Sequence, residues 1–172
     1  MRINVYAESQ FLKDRGYPNF SKLLAACAAG IVDLGADPGS VIDIQINPVL
    51  TAHGMDQFVF TAGTSGSFSE SSRGKTTLSM EICCVDNISE SNADLLCESA
   101  VALAYSWLGI HNNVNCWLRR HGDISGTGWC DKEFSPKTCE DVGDIVQAFV
   151  YGRIDGKSMI NSLSWKFAHR GM

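Results

Sequence analysis

The sequence predicts an α/β domain: a mixed β-sheet with helices packed on its faces. Segments of period-two alternation recur at residues 2–8, 41–46 and 76–85, and helix-period apolar segments lie between and after them. At 172 residues, 45% hydrophobic and 19% charged, the chain is an ordinary globular one, long enough to bury a core as a single domain over residues 1–172.

The elements follow in order. Arg2-Ile3-Asn4-Val5-Tyr6-Ala7-Glu8 alternates as a strand with one buried face. Tyr17-Pro18-Asn19 reads as a turn, and Ser21 then caps a helix from Lys22 to Leu34 that stops at Gly35. That helix is apolar almost all round, which predicts an interior position. After a turn at Asp37-Pro38-Gly39, Val41 to Ile46 reads as a strand ended by Asn47-Pro48. Phe58 to Thr61 is a further expected strand, and Gly63 to Gly74 a polar loop rich in Gly, Ser and Thr.

Thr76 to Val85 is the clearest strand. Leu78, Met80, Ile82 and Cys84 share one face, and Ser79, Glu81 and Cys83 share the other. Ser89 or Ser91 caps a helix to Leu108 whose core stripe is Leu96, Ala100, Leu103 and Trp107. Val114 to Arg119 is a short strand, followed by a turn carrying Gly122, Gly126 and Gly128. Val142, Ile145, Val146 and Phe149 mark a third helix, and Ser158 to His169 a fourth. Residues from about 135 to 172 read as a helical extension of the domain.

Composition excludes several classes. Fourteen basic against nineteen acidic residues give a net charge of −5, and the basic residues are scattered, so a nucleic-acid polymer is not an expected partner. No apolar run reaches the length of a membrane span. Met1 leads directly into a strand with no signal peptide, so the seven cysteines are expected as free thiols in the reducing cytoplasm. Assembly into an oligomer is compatible with all of this.

Chemistry concentrates in Arg120-His121-Gly122-Asp123-Ile124-Ser125-Gly126-Thr127-Gly128-Trp129-Cys130. Imidazole and thiolate are both good zinc ligands, and a glycine-rich turn lets His121 and Cys130 fold back toward one ion. A carboxylate in an apolar strand, as Glu81 is, either faces solvent or sits in a site, where desolvation would raise its pKa toward that of a general base. A structural zinc site from Cys116, His121, Cys130 and Cys139 fits no finger spacing. Gly74-Lys75-Thr76 matches only the end of a phosphate loop and precedes a strand where that motif precedes a helix.

The order strand, helix, strand and then His-x-Asp-x-Ser-Gly…Cys, with Ser79-Met80-Glu81-Ile82 in the first strand, resembles the second half of zinc-dependent N-acetylmuramoyl-L-alanine amidases. That family includes phage endolysins and shares its fold with peptidoglycan-recognition proteins. The resemblance covers roughly residues 60–132. It implies an amidase-like fold and a peptidoglycan fragment as partner. The reaction would be hydrolysis of the amide between the lactyl group of muramic acid and L-alanine. His121 and Cys130 would hold zinc, Asp123 would orient His121, and Glu81 would shuttle protons. The family's first-strand histidine is missing, which leaves His53 as the candidate third ligand, and Phe60-Thr61-Ala62-Gly63 stands where the family has Trp-His-Ala-Gly.

A binding protein without catalysis is the alternative. It is reached either as an amidase-like fold that has lost its metal or through Val5-Tyr6-Ala7-Glu8. Those four residues resemble the first strand of small phage proteins that sequester signalling nucleotides to blunt host defence, which would make this a phage-encoded protein acting in a bacterial host. In that case the partner is a small anionic ligand, with Arg119, Arg120 and Arg73 supplying its contacts.

Overall fold

The computed structural model describes residues 1–8, 17–32, 42–49, 76–83, 88–108, 113–120 and 128–169. Their elements run β1 (Arg2–Glu8), α1 (Tyr17–Val32), β2 (Asp43–Val49), β3 (Thr76–Cys83), α2 (Glu90–Leu108), β4 (Asn113–Arg119), β5 (Gly128–Cys130), α3 (Pro136–Val150) and α4 (Gly156–Ala168). The strands form one mixed sheet in the order β2-β1-β3-β4-β5. β1 is parallel to β2 and β3 to β4, whereas β1–β3 and β4–β5 are antiparallel. The expected mixed α/β class is the observed one.

Two strand–helix–strand units, β1-α1-β2 and β3-α2-β4, meet along the antiparallel β1–β3 seam. Parallel neighbours need a crossover, and strand twist makes such crossovers right-handed in nearly all proteins. Antiparallel pairing relates the two units by a half-turn about the sheet normal. That rotation keeps a helix on the same side, and α1 and α2 do pack against each other, with α3 and α4 against both. All the described helices therefore cover one face of the sheet.

The covered face is apolar by alternation. Ile3, Val5 and Ala7 of β1, Leu78, Met80 and Ile82 of β3, and Val114, Cys116 and Leu118 of β4 are buried in one core. Ile3 stands opposite Ile82, Val5 opposite Met80 and Ala7 opposite Leu78. Each fully buried Ile, Leu or Met side chain contributes about 1.5–3 kcal/mol, and a one-residue slip would turn all of them outward. Pro48 is tolerated in β2 because that strand is a sheet edge.

Helix α1 begins earlier than its pattern suggests. Tyr17-Pro18-Asn19 is its first turn, where Pro18 lacks only an N–H that has no intrahelical partner. Phe20, Leu24, Cys27, Ala28 and Ile31 are its buried stripe, and Phe20 stacks on Trp107 of α2 at 4.8 Å. The Ser89 hydroxyl caps α2 by accepting from the Asn92 N–H at 3.2 Å. Ser135 caps α3 and Asp155 caps α4 in the same way.

The segment read as a C-terminal extension packs into the common core through Val142, Val146, Met159, Leu163 and Phe167. Gly30 of α1 permits this close approach, since a Cβ there would lie 2.4 Å from Met159 Cε. Ser106 of α2 donates to the Cys139 carbonyl of α3 at 3.1 Å, and Asp141 of α3 meets Lys166 of α4 at 2.5 Å. The expected strand at Phe58–Thr61 and loop at Gly63–Gly74 lie outside the described residues.

The glycine-rich sequence before Trp129 leads into a strand that it did not announce. β5 is held against α2 at Gly128, where a Cβ would come within 2.9 Å of the backbone C and O of Ala93. Because backbone cannot yield as a side chain can, Gly128→Ala should destabilise the fold by about 1–3 kcal/mol. Urea unfolding followed by circular dichroism measures this as a lower midpoint at unchanged slope; an unmoved midpoint would show that β5 is not clamped to α2.

Candidate functional site

The strand residues that alternate away from the helices form a polar face, and the register lays them in rows. Tyr6, Ser79 and Asn115 lie side by side on β1, β3 and β4. Asn4, Glu81, Trp117 and Trp129 form the next row, from β1 to β5. Arg2, Cys83 and Arg119 form the third.

Glu81 is the centre of this face. Its Oε2 accepts from Arg119 Nη2 and, at 3.3 Å, from Trp117 Nε1; its Oε1 accepts from Asn4 Nδ2 at 3.1 Å. The Glu81 side chain is 14% exposed and that of Arg119 39%. Burial pushes the Glu81 carboxyl up, but the hydrogen bonds from Arg119, Asn4 and Trp117 and the charge of Arg119 together hold it below its ordinary value. Desolvation acts in the expected sense, but the donors outweigh it and the net direction is the opposite of the one expected. The carboxylate is ionised at neutral pH with both oxygens engaged, an arrangement that anchors neighbours and accepts protons poorly.

The two indoles extend the row to the sheet edge. Trp117 and Trp129 stack across β4 and β5, centroids 6.3 Å apart and planes 29° apart, and Trp129 is 49% exposed. Trp117 is fixed by its bond to Glu81. Burial, followed by the Glu81 charge, raises the Tyr6 phenol above its ordinary value. Arg2 faces Asp43 of β2 at 3.5 Å.

The other candidates fall elsewhere. Cys130 pairs with Cys116 across β4–β5 on the helix-covered face, next to Met80, and burial pushes its thiol up to about 12. Cys130 and Glu81 thus lie on opposite faces of the sheet, so the described structure does not bring that thiol and that carboxylate to one centre. Arg120 donates through Nη2 to the Ile88 carbonyl ahead of α2, whereas Arg119 lies on the polar face. His53, Arg73, His121 and Asp123 lie outside the described residues. Among the described residues no group of three His, Cys, Asp or Glu side chains could hold a metal ion.

Sequence reasoning passed over Asn4, Trp117 and Trp129. Alternation through β4 does place Asn115, Trp117 and Arg119 on the face of Glu81 once β3 and β4 are paired, and that pairing is the information a single strand lacks. No family model, curated protein or solved structure matches the chain.

Because the folded-state pKa of Glu81 is depressed, its contribution to stability is fully present above the unfolded value. It is lost as pH falls through the folded value. Glu81→Gln should therefore cost about 1–3 kcal/mol at neutral pH by disrupting a half-buried network. The gap to wild type should close under acid. Urea unfolding of both proteins across pH measures it; a gap that widens on acidification would reverse the sign.

Proposed function

We propose that this is a binding protein without catalysis, whose ligand docks on the polar face of the sheet around Glu81, Arg119, Trp117 and Trp129. One observation carries the reading: Glu81, the carboxylate at the centre of that face among the described residues, is closed into a network with Arg119, Asn4 and Trp117. A general base needs a pKa near the working pH, and the donors around Glu81 hold its carboxyl below the ordinary carboxylate value. A carboxylate held in this way instead fixes a guanidinium and an indole in position, which is the pre-organisation that binding requires.

The resemblances supply two ligand classes. An amidase-like domain that only binds would take a peptidoglycan fragment; a nucleotide sequestrant would take a small anionic ligand. Both would meet the Trp117–Trp129 pair, since an apolar ring face and a sugar both pack on indole.

The test uses N-acetylmuramoyl-L-alanyl-D-isoglutamine, which carries the amide bond an amidase would cut, with zinc present. The indole N–H signals of Trp117 and Trp129 should shift on titration, and mass spectrometry should recover the ligand intact. Release of free dipeptide, abolished in Glu81→Gln and Cys130→Ala, would establish the zinc hydrolase instead.

A further inference from the structure

The helical layer carries a second candidate surface, on the far side of the sheet from Glu81. An open groove of about 650 Å³ runs between α3 and α4. Ile145 and Trp165 supply its apolar part, and Asp141, Asp144 and Lys166 its charged groups. Trp165 is 60% exposed, yet it is held in place. Its ring stacks on His169 with centroids 4.3 Å apart and planes 16° apart, and His169 Nδ1 lies 2.8 Å from the Trp165 carbonyl. The imidazole takes one face of the indole, and the exposure leaves the other to solvent. An aromatic ring fixed in this way loses little freedom on binding, and tryptophan is enriched among the anchors of protein interfaces.

Charge selects the partner. Asp141 is matched twice, by Lys137 at 3.0 Å and by Lys166 at 2.5 Å. Asp144 lines the same groove, is exposed, and makes no ion pair among the described residues. It is the groove's uncompensated charge, on a chain that carries −5 in all. The occupant is therefore cationic. A guanidinium suits the pair better than an ammonium, because its plane stacks on an indole while its N–H fork meets a carboxylate. Ile145 beside them favours an apolar neighbour to the cation. An open cleft between two surface helices would leave much of a small molecule in water, whereas a polypeptide covers such a cleft with its own chain.

We propose that the α3–α4 groove docks an arginine-bearing segment of another protein. The arginine lays its guanidinium on the free face of Trp165 and directs its N–H groups to Asp144, and an aliphatic neighbour packs on Ile145. This surface is independent of the polar face of the sheet, and so is its test.

The probe is a capped six-residue peptide of alternating arginine and leucine, titrated into the intact protein and followed by NMR. The control is the same peptide with citrulline for arginine, which keeps the planar head group and removes its charge. The arginine peptide should shift the Trp165 indole N–H and the Ile145 amide saturably, with an affinity that falls as salt is added. The citrulline peptide should bind at least fivefold more weakly. Followed at the Ile145 amide, Trp165→Ala should weaken the arginine peptide about tenfold and Asp144→Asn about threefold. Tyr151→Ala removes an aromatic ring that is 70% exposed but outside the groove, and should change nothing. Equal affinity for the two peptides, or wild-type affinity in Trp165→Ala, would overturn the proposal. So would a Trp165 signal that moves with protein concentration alone, which would show the groove closed by a second copy of the chain.

Discussion

The antiparallel seam between β1 and β3 is the constraint on which the rest of this structure depends. Each flanking unit is a strand–helix–strand crossover, a connection that takes one hand in nearly all proteins, and the seam relates them by a half-turn. Had the two central strands been parallel and the order unchanged, the same hand would have sent the helices to opposite faces. Here both go to one side, and the sheet acquires an apolar face and a polar one. The register of Ile3, Val5 and Ala7 against Ile82, Met80 and Leu78 fixes which residues fall on which.

That division decides the chemistry. Glu81 lies on the central strand β3 and Cys130 on the edge strand β5, and alternation sends one to the polar face and the other under α2. On the polar face, burial and hydrogen bonding act on Glu81 in opposite senses, and the donors prevail. A pocket with the same burial and no donors would have produced a raised carboxyl and a candidate base. Asn4, Trp117 and Arg119 convert that position into an anchor that holds an indole at the edge of a ring platform.

Much of the fold was legible because it is written locally. The strands at 2–8, 76–83 and 113–119 alternate cleanly, and the helix stripes of Leu96, Ala100 and Leu103 or of Val142 and Val146 repeat at helical spacing. β5 escaped notice because three residues carry no period, and its glycine signalled a turn where the need was close approach to Ala93. Pro18 was misleading in a similar way, since a turn former is also a good first-turn residue.

The candidate site was legible only in part. Glu81 was visible as a carboxylate in an apolar strand, but its partners Asn4, Trp117 and Arg119 are 77, 36 and 38 positions away. No local pattern joins them; sheet order does. The central claim is that Glu81 is an anchor and not a base, and NMR titration of its side-chain carboxyl carbon tests this most directly. The account predicts an inflection below the ordinary carboxylate value, moving upward in Arg119→Ala. An inflection raised toward neutrality in the wild-type protein would contradict it and return Glu81 to the role of a proton acceptor.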